Sequence, residues 1–316
     1  MKILFIDTAH EILFSTLEKA GHDCVKGYDL SRKEILENIS QYQGVIIRSR
    51  IQADKEFFDK ATALKFIGRV GAGMESIDVG YAKSKGIECF NSPEGNADAV
   101  GEHALAMLLS LFNNISRADA EVKSGKWIRE SNRGVELAGK TVGLIGYGNM
   151  GKAFAKKLSG FDCNVIVYDK YLKNYSDQFA KEVSMEDIYR DADILSLHVP
   201  LSAETNFMVN DEFINRFKKT FYLINTARGK CVNTNDLVKN LKSGKVRGAC
   251  LDTLEYEDTS FEAAGDLQSN LKGLNEVGEK VILSPHIAGW THESKEKLAR
   301  ILGDKIISKF GTTISK

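Results

Sequence analysis

The sequence predicts an α/β protein of two Rossmann-like domains, each a doubly wound parallel sheet, linked by long helices with a cleft between them. Three observations predict it. The chain has 316 residues, too long for one typical hydrophobic core. Short apolar runs alternate with helical patterns in two successive blocks, the signature of strands joined by crossover helices. The second block opens on a strand that runs into a glycine turn and a helix, TVGLIGYGNMG at 141–151. The expected division is 1–94 with 285–316 as a substrate domain of flavodoxin-like order, and 95–284 as a dinucleotide-binding domain.

The first block alternates regularly. Strands are expected at 3–6, 44–47, 66–69 and 87–90, with helices at 11–20, 31–39, 55–60 and 77–84. Its own glycine pair, Gly71-Ala72-Gly73, lacks a third glycine and a strand-end acid. Asn91-Ser92-Pro93 closes the unit. A helical pattern over 97–123 follows, about 27 residues long, with His103, Leu105, Met107, Leu108, Leu111 and Ile115 on its apolar side. It is expected to bridge the domains. A polar segment at 124–140 holds Trp127 and Arg129. Beyond the glycine turn come strands at 164–168, 193–197, 221–225, 247–251 and 280–283, and helices at 152–159, 235–242 and 291–310. Residues 258–279 are polar and small, and read as a surface excursion.

Composition narrows the function classes. Hydrophobic residues make up 43% and charged residues 27%, as in globular proteins. Lys plus Arg equals Asp plus Glu at 43 each, so no overall field favours nucleic acid or an anionic membrane. Any anion must be held by local arginines. The five cysteines (Cys24, Cys89, Cys163, Cys231, Cys250) are scattered singly. That fits a reducing cytoplasm and argues against a metal site or disulfides. The N-terminus has no secretory pattern, and no stretch is apolar enough to span a membrane.

The turn Gly146-Tyr147-Gly148-Asn149-Met150-Gly151 is a G-x-G-x-x-G element in its proper context. The first glycine permits the tight strand-to-helix turn. The second lets a pyrophosphate approach the backbone, and the third lets helix and strand pack closely. The helix N-terminus supplies N–H groups to the phosphates. Asp169 closes the next strand, 23 positions after Gly146, close to the distance expected for the acid that holds the adenosine ribose. A carboxylate there favours NAD over NADP by repelling a 2′-phosphate, and Lys170 beside it softens that preference.

Arg228, Glu257 and His286 are each 29 positions apart, and each follows a short apolar run. Residues past the C-terminal ends of parallel strands gather along one sheet edge, where ligands bind. Hydride transfer between a nicotinamide and a hydroxy acid needs a group for the alcohol proton and a cation for the carboxylate. Imidazole titrates near neutrality and suits the first role. A carboxylate beside it fixes its orientation. Arginine presents a planar fork that matches a carboxylate.

These residues resemble the D-isomer-specific 2-hydroxyacid dehydrogenases over nearly the whole chain. The matching motifs are Arg69-Val70-Gly71-Ala72-Gly73, Asn91-Ser92-Pro93, Gly125-Lys126-Trp127, the glycine turn with Asp169, and His198-Val199-Pro200-Leu201. They continue with Asn225-Thr226-Ala227-Arg228-Gly229, Asp252 through Glu257, and Ser284-Pro285-His286-Ile287-Ala288-Gly289. The resemblance implies catalytic Arg228, Glu257 and His286. It implies that Asp252 and the Thr226-Ala227 backbone hold the nicotinamide amide. His198, Pro200, Thr205 and Gly289 would line the cofactor, and Ala72 and Gly73 N–H groups would bind the substrate carboxylate. It also implies a homodimer. Three departures stand out: Asp258 where the family commonly has proline, Glu75 where it often has Asp, and a longer 258–279 loop.

Within the family, the likeness is greatest to members that oxidise 3-phosphoglycerate. Arg48, Arg69 and Arg129 match positions that contact a phosphate or carboxylate, so the implied partner is a small phosphorylated 2-hydroxy acid. Arg50 and Arg129 read equally well as surface ion pairs. The sequence ends at Lys316, so a C-terminal regulatory domain is not expected. Two other readings stay open: a reductase for glyoxylate, hydroxypyruvate or another D-2-hydroxy acid, and a dinucleotide-sensing binding protein like the family's co-repressors.

Overall fold

The computed structural model describes residues 1–257 and 266–311. They form two compact units: Met1–Asn96 with the residues from Trp290 onward, and the residues from Ala97 to Gly289. The divisions thus fall at 96/97 and 289/290, a few residues after those expected. Asp258, and the first part of the expected surface excursion, lie outside the described residues.

In the first unit, β1 (Lys2–Phe5), β2 (Asp23–Lys26), β3 (Gly44–Ile47), β4 (Phe66–Arg69) and β5 (Glu88–Phe90) form one parallel sheet in the order β2-β1-β3-β4-β5. That is the flavodoxin-like order. The crossovers carry α1 (Glu11–Lys19), α2 (Arg32–Asn38), α3 (Lys55–Lys60) and α4 (Val79–Ser84). Every residue of β3 and β4 is buried, as expected for strands covered on both faces. The last helix of the chain, His292–Phe310, covers one face with Ala299, Leu302 and Ile306 against Ile3, Phe5, Ile46 and Phe66.

The second unit begins with α5 (Ala97–Phe112) and α6 (Ile115–Lys123). The single helix expected over 97–123 is therefore broken. Asn114 sits in the left-handed region at φ 53°, a conformation that asparagine tolerates better than most residues. The Phe112 carbonyl, freed at the helix end, accepts the Val135 N–H at 2.9 Å. The parallel sheet follows, built from β6 (Thr141–Ile145), β7 (Asn164–Tyr168), β8 (Lys181–Glu182), β9 (Ile194–Leu197), β10 (Phe221–Asn225), β11 (Val246–Leu251) and β12 (Val281–Leu283). Between them run α7 (Asn149–Leu158), α8 (Met185–Asp191), α9 (Asp211–Arg216), α10 (Thr234–Ser243), α11 (Leu267–Asn270) and α12 (Lys272–Asn275). The last two replace part of the expected surface excursion, because Leu274 and Val277 join the core.

Strand alternation divides this core in two. Leu195, Leu197, Phe221 and Leu223 face one side, with Ile188, Ile214, Leu237 and Leu241. Ile194, Tyr222 and Ile224 face the other, with Met107, Leu108, Phe154 and Leu158. α5 lies close on α7 because Gly101 has no side chain; a Cβ there would stand 3.1 Å from the Ala153 carbonyl group.

The strand order is β12-β11-β10-β9-β6-β7-β8. From β6 the chain steps outward to β7, then returns to pair β9 on the opposite side. The loop after β6 is thus at the topological switch point, where open α/β sheets bind ligands.

Candidate active site

The glycine turn occupies that switch point, and its geometry requires its glycines. Gly146 has φ 95°, and a Cβ there would stand 2.4 Å from the His198 carbonyl oxygen. A Cβ on Gly151 would stand 2.2 Å from the Gly146 carbonyl oxygen. At Gly148 a Cβ would meet nothing within 4 Å, so the backbone is open to a ligand. α7 begins one turn earlier than expected, with Gly148 as N-cap and no side chain capping it. Asn149, Met150 and Gly151 therefore form the first turn, whose N–H groups have no partner further back in the helix. That end suits a pyrophosphate.

Asp169 follows β7. Its carboxylate accepts the N–H groups of Tyr147 (2.8 Å), Tyr171 (2.9 Å) and Leu172 (3.1 Å). Burial pushes its pKa up, but these donors outweigh it and hold the group below the usual carboxylate range. The acid thus braces the glycine turn and stays ionised. Lys170 is engaged by Glu204 at 2.5 Å.

His198 ends β9, with Nε2 3.0 Å from Ser196 Oγ and its ring against Phe154. Enclosure of the ring lowers its pKa from 6.5 to about 3. Its neutral form is therefore the folded form. The associated stability is complete above pH 6.5 and declines as pH falls toward about 3. Replacing His198 with glutamine is expected to flatten that part of a melting-temperature profile; an unchanged slope would assign it to other groups. Thr205 Oγ1 donates to the Pro200 carbonyl at 2.7 Å and accepts the Ser202 N–H at 2.8 Å, so it closes the turn that carries Pro200.

β10, β11 and β12 are neighbours in the sheet, and Arg228, Glu257 and His286 follow their respective C-terminal ends. Adjacent strands stand about 4.8 Å apart, which sets the scale of this cluster. Asn225, fully buried, shapes the first turn. Its amide donates to the Arg228 carbonyl (2.9 Å) and accepts the Ala227 N–H (3.1 Å). Arg228 Nη1 donates to the Ala227 carbonyl at 2.7 Å. Thr226 Oγ1 is buried with no hydrogen-bond partner among the described residues. An orphaned hydroxyl beside the sheet edge fits a cofactor amide that would complete it.

Glu257 and His286 are directly paired. Oε2 lies 2.7 Å from Nδ1, while Oε1 accepts the Leu254 N–H. Their side chains are only 13% and 22% exposed, so water screens the pair weakly. With Nδ1–H donated to the carboxylate, Nε2 is the basic nitrogen. His286 adopts φ 53°, unusual for a residue other than glycine, and its N–H donates to the Asp252 carbonyl at 2.7 Å.

Asp252 is 0% exposed. Its Oδ1 accepts Ser284 Oγ–H (2.6 Å) and the Ile287 N–H (2.9 Å), and its Oδ2 accepts the Ala288 N–H (2.9 Å). Ser284, Ile287 and Ala288 thus tie both carboxylate oxygens to the protein, and His103 Nε2 stands 3.4 Å from Oδ1. Burial pushes its pKa up, yet the donors from His103, Ser284, Ala288 and Ile287 hold it below the usual range. His103 and Ser284 were not singled out as site residues; only their three-dimensional placement reveals them.

The first unit holds its own candidate anion site. Arg48 follows β3, its backbone N–H bonded to Asp7 and its guanidinium 4.6 Å from the centre of the exposed Trp290 ring. Arg69, buried at the end of β4, donates Nε–H to the Arg48 carbonyl at 3.0 Å. Asn91 braces the Ala72–Gly73 turn through the Ala72 carbonyl, at 2.6 Å. Arg50 is structural: it pairs with Asp7 and donates to the Leu30 carbonyl. Arg129 is exposed in the second unit, apart from these residues in the chain's division.

Comparison with known proteins decides the family. A model of the D-isomer specific 2-hydroxyacid dehydrogenase NAD binding domain matches residues 105–288, more than half of the chain. The chain belongs to the D-isomer specific 2-hydroxyacid dehydrogenases. It is an oxidoreductase of that family, and NAD is the cofactor of its matched domain. D-3-phosphoglycerate dehydrogenase of Archaeoglobus fulgidus is 32% identical over 98% of this dehydrogenase and 57% of its own length. Hydroxypyruvate reductase of Thermotoga maritima is 34% identical over 89% of both chains. The dehydrogenase therefore spans little more than half of the first relative and most of the second. Among solved structures, D-lactate dehydrogenase of Aquifex aeolicus, complexed with NAD and lactic acid, is 26% identical with a TM-score of 0.80, covering 98% of this chain and 96% of that one.

Proposed function

We propose that the protein oxidises D-3-phosphoglycerate at its 2-hydroxyl to 3-phosphohydroxypyruvate, reversibly, with NAD. The hydrogen-bonded Glu257–His286 pair at the sheet edge carries the redox part of this reading. His286 Nε2 takes the hydroxyl proton as the C2 hydride leaves, and Glu257 stabilises the imidazolium that forms. Arg228 holds the substrate carboxylate and polarises the developing carbonyl. Bound at the glycine turn, NAD would supply the hydride acceptor. Asp169 would take the adenosine ribose hydroxyls, and its charge favours NAD over NADP.

Arg48 and Arg69 support the phosphorylated substrate. The Arg69 side chain donates to the Arg48 carbonyl, while the Arg48 guanidinium lies against the Trp290 ring and makes no hydrogen bond among the described residues. Ala72 and Gly73 would supply backbone N–H groups to the substrate. The name of the Thermotoga relative supports a hydroxypyruvate reductase as the second reading. Replacing Arg48 with alanine discriminates. We expect kcat/KM for 3-phosphohydroxypyruvate to fall about 10- to 100-fold, with unphosphorylated 2-oxo acids much less affected. Equal slowing of both classes would remove the phosphate assignment.

A further inference from the structure

His103 lies on α5, far in sequence from every residue given a chemical role above, yet it reaches the same network. Its Nε2 is 2.9 Å from Ser284 Oγ and 3.4 Å from Asp252 Oδ1. The direction of these bonds follows from proton counting. Ser284 has one hydroxyl hydrogen and spends it on Asp252 Oδ1, the shortest contact it makes, at 2.6 Å. Ser284 Oγ can then only accept from His103, which places a hydrogen on Nε2 of that ring. The chain of donors runs His103 to Ser284 to Asp252. At its far end, Asp252 receives the N–H groups of Ile287 and Ala288 on its carboxylate and that of His286 on its carbonyl. The residue that presents the candidate acid/base ring is thus clasped from both sides of one buried aspartate. That clasp holds His286 at φ 53°, a conformation that needs outside support.

We propose that His103 is a positioning residue: by donating to Ser284, it fixes the Asp252 carboxylate and through it the backbone that aims His286. The proposal rests on the reading of His286 as the acid/base. It predicts an effect on turnover without an effect on substrate binding, since His103 Nε2 acts through Ser284 and Asp252. It also predicts that the Nε2–H donor is what matters. The amide nitrogen of glutamine falls close to the position of a histidine Nε2 and can donate in its place.

The experiment compares His103→Leu, His103→Gln, Ser284→Ala and the double variant His103→Leu/Ser284→Ala in steady-state reduction of a 2-oxo acid with NADH. His286→Ala serves as reference. Expected are a fall in kcat of about 10-fold or more for His103→Leu with KM little changed, and recovery of most of that loss in His103→Gln. The double variant should be no slower than Ser284→Ala, because both act through one route. Melting temperature identifies any variant that fails to fold, in which case Ser284→Ala and His103→Gln still decide. A lowered melting temperature with wild-type kcat, losses that multiply in the double variant, or no recovery with glutamine would overturn the proposal. If His286→Ala itself keeps wild-type turnover, the acid/base reading falls instead, and the two failures are told apart.

Discussion

Replacing His286 with alanine is expected to lower kcat for 2-oxo acid reduction by about 10²- to 10⁴-fold while NADH still binds. The loss has a specific origin. In the proposed mechanism Glu257 orients the imidazole through its 2.7 Å contact with Nδ1, and Nε2 exchanges the substrate proton. No other histidine of the second unit is placed to substitute. His198 is held neutral by enclosure, with its pKa lowered to about 3, and His103 is committed to Ser284. Glu257→Gln is the informative companion. It keeps a group able to accept from Nδ1 but removes the charge that stabilises the imidazolium, so its loss should be intermediate. NADH fluorescence titration separates a binding defect from a chemical one. A His286→Ala enzyme that turns over normally would remove the acid/base assignment.

Gly229→Ala is expected to be nearly as damaging, for a reason of packing. A Cβ on Gly229 would stand 1.8 Å from the Leu254 carbonyl oxygen and 2.6 Å from the Glu255 nitrogen. Both are backbone atoms and cannot swing aside. The turns that follow β10 and β11 would have to separate, taking Arg228 and Glu257 with them. Such overpacking costs about 1–3 kcal/mol or more, and displacement of about 1 Å at the chemistry costs about 100-fold in rate. Thermal melting and kcat together check this. Gly160→Ala, where a Cβ meets nothing within 4 Å, is the matched control and should change neither. A Gly229→Ala variant with wild-type melting and turnover would show that the two turns yield easily.

Much of this was legible in the sequence, because strands ending in polar residues imply a common edge. The spacing of Arg228, Glu257 and His286 suggested neighbouring strand ends, and the sheet order puts β10, β11 and β12 side by side. The glycine turn with Asp169 was equally legible, since steric demands write themselves as glycines. What stayed hidden was decided by contacts between distant residues. The break at Asn114 goes against an apolar pattern that runs on through Ile115. Arg50, which read equally well as a surface ion pair, is claimed by Asp7 and the Leu30 carbonyl. α11 and α12 carry too few apolar residues to announce themselves, although Leu274 is almost wholly buried. β2 and β8 are short edge strands with little alternation to read. The roles of His103 and Ser284 depend on a carboxylate that is far from His103 in the chain, so no local pattern could reveal them.

We propose above all that this dehydrogenase acts on a phosphorylated 2-hydroxy acid. The most direct test is kcat/KM for 3-phosphohydroxypyruvate, hydroxypyruvate and glyoxylate, measured side by side with NADH. The phosphorylated acid is expected to be preferred by about 100-fold or more, because the phosphate contacts proposed for Arg48 and Arg69 are missing with the two unphosphorylated acids. Equal values, or a preference for glyoxylate or hydroxypyruvate, would contradict it.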